Sequence, residues 1–217
     1  DEAGALIMPA DFIPAAERYN IMPQIDRWVV SHSIRAYRKL LDSIGETGEM
    51  PLFCINLSAA TLADEKCFEF IKDQFSQGTS PPTGFCFEIT ETAAISNMGT
   101  ASRLIHDLKE IGCTFALDDF GSGFSSFNYL KNLPIDYLKI DGSFVKDMHQ
   151  DPVNRAMVEA INNLGHVMGI RTIAEFVTNN EVLSLITKIG VDFGQGYEIA
   201  RPEPLSAYKA IPASKGK

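Results

Sequence analysis

Thr114-Phe115-Ala116-Leu117-Asp118-Asp119-Phe120-Gly121-Ser122-Gly123-Phe124-Ser125-Ser126 is an apolar run that ends in two adjacent carboxylates and a Gly/Ser loop. It reads as a buried strand over 114–118 feeding a flexible turn. Neighbouring side chains of a strand point to opposite faces. At a strand end the pleat can relax, so that Asp118 and Asp119 both turn toward one ligand. Like charges this close repel unless a cation sits between them, and a divalent metal supplies that cation economically. The competing reading is a pair of solvated turn aspartates before a glycine, since both residue types are ordinary in turns.

Outward from this stretch the chain alternates. The pattern predicts strands over 52–57, 85–90, 114–118, 137–140, 171–174 and 193–195. Between and after them it predicts helices over 64–75, 100–111, 126–133, 154–168, 181–189 and 204–210. Two helices precede the first strand: a short one over 9–17 and a longer one after Pro23, with Ile25, Trp28, Val29, His32, Ile34, Tyr37, Leu40 and Leu41 at helical spacing. Trp28 falls on that stripe and is expected in the core. Repeated strand–helix units mean a parallel sheet. Apolar strands without alternation suit a β/α barrel or a doubly wound sheet.

With 217 residues the chain suits one domain with a full core. Its net charge of −9, scattered rather than in runs, argues against duplex DNA or an anionic membrane as partner. A small phosphate ligand stays open, because metals can carry the missing positive charge. Cys54, Cys67, Cys86 and Cys113 form no C-x-x-C pair, which disfavours a zinc knuckle. Cys54 and Cys86 lie in apolar runs and are expected to behave as small buried hydrophobes in a reducing, cytoplasmic compartment. No stretch is long and apolar enough to span a membrane. The chain opens on a Gly/Ala-rich stretch, as if cut from something longer, and 212–217 reads as a frayed tail.

The informative pattern is what closes each strand. In order, the ends deliver Asn56, then Glu88 and Glu91, then Asp118 and Asp119, then Lys139 and Asp141, then Glu175, and last Gln195. In a β/α barrel these ends converge on one face. Carboxylate and amide oxygens are hard ligands suited to Mg²⁺ or Mn²⁺. Paired ions suit a phosphoryl displacement, and a lysine among the carboxylates can orient or deprotonate a water or neutralise charge. Taken singly, each residue has a structural explanation: Lys139 paired with a neighbouring aspartate, Asn56 capping a turn, Gln195 tying backbone. Glu88 inside Phe87-Glu88-Ile89 resists one, because an unpaired buried carboxylate is costly. His32, His106, His149 and His166 show no metal spacing. The dinucleotide, P-loop, kinase and serine-hydrolase signatures are absent, although Asp119-Phe120-Gly121 matches a kinase triplet. A glycosidase would need two carboxylates without the further ligands.

Six ordered motifs, Asn56-Leu57-Ser58, Glu88-Ile89-Thr90-Glu91, Asp118 to Ser126, Lys139-Ile140-Asp141, Ala174-Glu175 and Gln195-Gly196-Tyr197, resemble the EAL domain family of bacterial cyclic di-GMP phosphodiesterases. The resemblance runs from about Pro9 to Pro202 and assigns 1–211 to the domain. It implies a modified TIM-type (β/α)8 barrel whose first strand is antiparallel, and hydrolysis of cyclic di-GMP to linear pGpG with two Mg²⁺ or Mn²⁺ ions, inhibited by Ca²⁺. It implies Asn56, Glu88 and Asp118 as ligands of one ion, and Asp118, Asp119 and Glu175 as ligands of the second. Lys139 would contact the attacking water, and Glu91 would hold the 119–126 loop in shape. Gln195 would lie near water and substrate, Asp141 would support Lys139, and Asp141, Gln195 and Pro202 would line the substrate site. A homodimer, and sensor or GGDEF-type domains in a longer protein, are also implied. The alternative within the family is a receptor that binds cyclic di-GMP without cutting it.

Two departures stand out. The Glu-Ala-Leu motif and a phosphate-binding arginine are expected before Asp1 and are not in this chain. The pattern Ala-Glu-Gly-Val-Glu reads Ala174-Glu175-Phe176-Val177-Thr178 here, with Thr178 in place of the second glutamate.

Overall fold

The computed structural model describes residues 7–44, 51–76, 80–123 and 127–208. Helices α1 (Pro9–Arg18) and α2 (Met22–Ile44) lead into β1 (Phe53–Asn56), α3 (Ala59–Leu62), α4 (Glu65–Ser76) and β2 (Phe85–Thr90). Then come α5 (Glu91–Ser96), α6 (Met98–Glu110), β3 (Thr114–Phe120), β4 (Tyr137–Ile140), α7 (Gly142–Val145), α8 (Pro152–Val167), β5 (Arg171–Ala174), α9 (Asn180–Ile189) and β6 (Phe193–Gly194).

The six strands form one sheet in the order β1-β2-β3-β4-β5-β6, and every pairing is parallel. That order decides between the two sheet types. A doubly wound sheet reverses direction at a switch point; here each strand is added beside the last, as in a barrel. The described staves are part of a TIM-type barrel, with β1 and β6 at the open edges. β2 and β4 are buried nearly throughout, which is why their sequences are apolar runs. The core lies between these strands and the inner faces of α2, α4, α6, α8 and α9, where Phe85, Phe87, Phe115, Leu117 and Leu138 have no solvent exposure.

Several expectations change. Trp28 is 60% exposed and stacks on His32 instead of entering the core. The buried line of α2 is Asp26, Val30, Ile34 and Tyr37. Trp28 lies two residues from both Asp26 and Val30, which is the far side of a helix of 3.6 residues per turn. Cys54 is exposed, because β1 is a sheet edge, whereas Cys67, Cys86 and Cys113 are buried; all four thiols are free. The helix expected over 126–133 is a 3-10 turn, Phe127–Asn132. Of the one expected over 204–210, only the 3-10 turn Leu205–Ala207 lies among the described residues. The expected tail at 212–217 and the Gly/Ala opening at 1–6 lie outside them. No described helix is long and apolar enough to cross a membrane.

Short helices follow three of the strands and were not legible as periodic segments: α3, α5 and α7. Each starts at a polar cap at the end of a strand or within two residues of it. Ser58 accepts from the Thr61 N–H, Thr90 from the Ala93 N–H, and Asp141 from the Ser143 N–H. The first cap is itself anchored. Asp26 Oδ2, on the buried line of α2, accepts from Ser58 N–H at 2.9 Å, Ser58 Oγ at 2.7 Å and Thr61 Oγ1 at 2.6 Å. This ties α2 to the segment immediately after Asn56. Asp26→Ala strands those donors in a buried setting, and urea unfolding should show a loss of about 3 kcal/mol; an unchanged midpoint would remove Asp26 from this role.

Candidate active site

Strand register alone gathers the polar residues on one surface of the sheet. Asn56 pairs with Glu88, and Glu88 with Ala116. Ala116 pairs with Tyr137, Lys139 with Ile173, and Ile173 with Phe193. Residues in register, and those two apart, share a face. Asn56, Glu88, Asp118, Lys139, Glu175 and Gln195 therefore fall on the same face, at the carboxyl end.

Asp119 should point the other way, and a bulge corrects it. Leu117 pairs with Leu138 but Phe120 with Ile140, so β3 holds one more residue than β4 between these points. Asp119 takes a left-handed conformation, φ 55°, which aspartate tolerates better than most residues. The expected relaxed strand end is thus a bulge inside a strand that runs on to Phe120. Oxygens of Asp118, Asp119 and Glu175 come within 4.8 Å of one another. Ligands at about 2.1 Å from one Mg²⁺ lie up to about 4.2 Å apart. The hard-oxygen donors and the spacing therefore fit one ion after small side-chain adjustment. Asn56 ends the neighbouring strand beside Glu88 and is exposed.

Lys139 stands at the centre. Its Nζ lies 2.8 Å from Glu88 Oε2, 2.9 Å from Asp118 Oδ1 and 2.9 Å from Glu175 Oε1. The residue is only 3% exposed. Burial alone would pull the ammonium's pKa down, but Glu88, Asp118 and the hydrogen bonds to Asp118 and Glu175 hold it above the ordinary lysine range. One cation does not balance Glu88, Asp118, Asp119 and Glu175. Burial, then the charges of Asp118 and Asp141, push Asp119 up despite Lys139. Burial raises Glu175 against the opposing pull of Lys139.

Glu91, 3% exposed, begins α5, where the helix dipole favours a carboxylate. Its Oε2 accepts from Gly121 N–H at 3.0 Å and its Oε1 from Tyr129 Oη at 2.6 Å. It thereby grips the chain two residues after Asp119. Residues 124–126 of the expected loop lie outside the described residues. Asp141 caps α7 with Oδ1 2.6 Å from Ser143 N. Gln195 N–H donates to Ala174 O at 2.8 Å, which sets its exposed side chain just past β6 and next to Glu175. Pro202 is exposed in the coil after Arg201 and is not among the groups gathered around Lys139.

Sequence reasoning passed over Tyr129 and Asp26, and quoted Phe176 and Tyr197 in motifs without giving them a role. Tyr129 sits in a 3-10 turn with no periodic signal, and its hydroxyl finds Glu91 only through the fold. Phe176 carried one signal, an aromatic ring in a Gly-patterned position between Glu175 and Val177.

Fold and site define an acidic, lysine-centred cluster on the carboxyl face of a parallel β/α barrel. The chain belongs to the EAL domain family, whose model matches residues 1–202. It is 42% identical over 208 residues to PdeB of Shewanella oneidensis, a cyclic di-GMP phosphodiesterase, covering 96% of this chain and 24% of that protein. It is 34% identical over 205 residues to PdeA of Borreliella burgdorferi, also a cyclic di-GMP phosphodiesterase, covering 94% of this chain and 30% of that protein. The chain thus spans less than a third of either relative. Among solved structures it matches the PaMucR phosphodiesterase in complex with c-di-GMP, at a TM-score of 0.85 and 31% identity, over 93% of this chain and 80% of that one. It also matches the FimX EAL domain from Pseudomonas aeruginosa bound to c-di-GMP, at a TM-score of 0.84 and 29% identity, over 93% of this chain and 79% of that one.

Tyr129→Phe removes one donor from a buried carboxylate while keeping the ring. It should cost about 1–3 kcal/mol in urea unfolding. Stability equal to wild type would show that Glu91 does not depend on the phenol.

Proposed function

We propose that this domain hydrolyses cyclic di-GMP to linear pGpG with two hard divalent cations, Mg²⁺ or Mn²⁺. The observation that carries the reading is the convergence of Asp118, Asp119 and Glu175 beside Lys139, at the strand ends of a barrel. Names of relatives support the substrate. Asn56, Glu88 and Asp118 would hold one ion, and Asp118, Asp119 and Glu175 the other. Bound there, the ions would supply Lewis acidity toward the phosphodiester.

The chain's own groups do the rest. Lys139 would orient the attacking water and offset charge that develops on the phosphate oxygens. Glu91 would keep β3 and its bulge in register, so that Asp118 and Asp119 stay aimed together. Asp141 would fix the turn after Lys139 through its cap on α7, and Gln195 would border the substrate. Pro202 would lie at the outer margin. The same reading includes a homodimer, a cytoplasmic setting, and sensor or GGDEF-type domains in a longer protein.

Incubation with cyclic di-GMP and Mg²⁺ or Mn²⁺, followed by chromatography for pGpG, tests the reading. Binding without product would favour the receptor alternative. Asp119→Asn should lower turnover by more than about 100-fold, beyond the loss that outer-shell partners of a metal show, while calorimetry still finds nucleotide binding. Wild-type turnover in this variant would sink the second-ion assignment. Ca²⁺ alone should support binding and not hydrolysis, because its looser coordination clamps reacting oxygens poorly; pGpG formed in Ca²⁺ would contradict it.

A further inference from the structure

Asn56 is the one proposed ion ligand that stands on a sheet edge. β1 is four residues long and, among the described strands, pairs only with β2. Lys139 orders Glu88, Asp118 and Glu175 by charge, and a neutral amide gains little from such a pull. Asn56 is also exposed, so packing does not fix its side chain. The place of this amide therefore depends on how firmly its backbone is held.

That backbone is gripped from two directions. Leu57 N–H donates to Glu88 O at 2.8 Å, which continues the ladder to β2. Ser58, the next residue, turns to α2 instead: its N–H donates to Asp26 Oδ2 at 2.9 Å and its Oγ at 2.7 Å. Thr61 Oγ1, fully buried, donates to the same oxygen at 2.6 Å. Asp26 is only 4% exposed, and these three partners are neutral. Arg27, beside it in sequence, turns away to Cys67 Sγ at 3.2 Å and Asp64 Oδ2 at 3.5 Å. Burying a carboxylate among neutral donors costs desolvation. A joint that only held α2 in place could be made of apolar contacts, as Val30 and Ile34 of the same helix make. What the carboxylate adds is direction. Charge-assisted bonds are shorter and about twice as strong as neutral ones, and here two of them grip one residue by main chain and side chain together.

We propose that Asp26 is a positioning residue for the ion assigned to Asn56, Glu88 and Asp118. By fixing Ser58 it sets the backbone two residues earlier, and so the place from which the Asn56 amide oxygen joins Glu88 and Asp118. This rests on the ligand assignment in the proposed function above. Asp26 touches no reacting atom and acts through Asn56 alone.

The test counts Mn²⁺ ions on the protein without nucleotide, from the electron paramagnetic resonance signal of the free ion. Asp26→Asn keeps the side chain's size and an acceptor oxygen but not its charge. It should weaken one of two bound ions by about 10–100-fold, the scale for groups that hold a metal ligand, and leave the other unchanged. Two ions bound as tightly as by wild type, both weakened alike, or a single ion on wild type overturns the proposal. Should Asp26→Asn fold poorly, Ser58→Ala, which removes the Oγ bond alone, should weaken the same ion by a smaller factor; unchanged binding overturns the proposal. In an Asn56→Ala background, Asp26→Asn should add less than about twofold, because a residue acting through Asn56 has nothing left to position. A further loss of about tenfold there would show that Asp26 acts on the fold at large, and the proposal would fall. Turnover gives a second readout: half-saturating Mn²⁺ for cyclic di-GMP hydrolysis should rise in Asp26→Asn by the same factor, with kcat at saturating Mn²⁺ kept. The expected Mn²⁺ pattern with no pGpG from wild type leaves Asp26 its role and removes the phosphodiesterase reading. Wild-type hydrolysis with equal Mn²⁺ affinity in Asp26→Asn does the reverse.

Discussion

One ammonium group ties three strands together. Lys139 in β4 reaches Glu88 from β2, Asp118 from β3 and Glu175 at the end of β5, each within 2.9 Å. A buried ion pair is weak evidence for stability, because desolvation offsets much of the attraction. Its value here is geometric. Removing the lysine would leave neighbouring carboxylates to repel across a poorly hydrated space. With it, they stay close enough to share a hard cation, and the remaining negative charge gives that cation a reason to bind. Burial raises the Asp119 and Glu175 carboxyls first, and the neighbouring aspartate charges add to it.

The lysine can act this way only if the strand ends are held to within fractions of an ångström. Elements outside the site do that holding. Asp26 fixes the chain after Asn56 from the buried face of α2. Glu91 and Tyr129 fix the chain after Asp119. Caps at Ser58, Thr90 and Asp141 turn each strand into a short helix and spare the exit backbone from unpaired N–H groups. The site is therefore a set of side chains on rigid staves, backed by a ring of polar anchors one residue or one helix away.

Much of this was legible in the chain, because parallel barrels write their pattern twice. Apolar runs mark β2, β3 and β4, and polar residues stand at or near the carboxyl end of each; strand spans at 85–90, 137–140 and 171–174 coincide with the observed ones. The sheet order was not legible, since strand–helix alternation is common to barrels and doubly wound sheets. Trp28 was misplaced because an apolar stripe read without phase includes its flank, while the true inner line runs through a charged residue, Asp26. Cys54 was misplaced because a run of apolar residues does not reveal a sheet edge. Tyr129 and the short helices were missed because tertiary partners, not periodicity, define them.

The bulge and the strained phenylalanine belong together. Three described non-glycine residues have positive φ, and two of them, Asp119 and Phe176, directly follow the ligand candidates Asp118 and Glu175. They stand on β3 and just beyond β5, the two strands that flank the lysine strand. A left-handed residue bends the chain where a regular strand would carry the next side chain to the opposite face. On β3 the bend turns a second carboxylate inward. After β5 it turns an aromatic ring outward, over Gly142, into the cavity beside Glu175. The same backbone device, used on either side of Lys139, thus gives the centre a charged side and an exposed aromatic flank. A regular strand at either place would send that side chain to the opposite face.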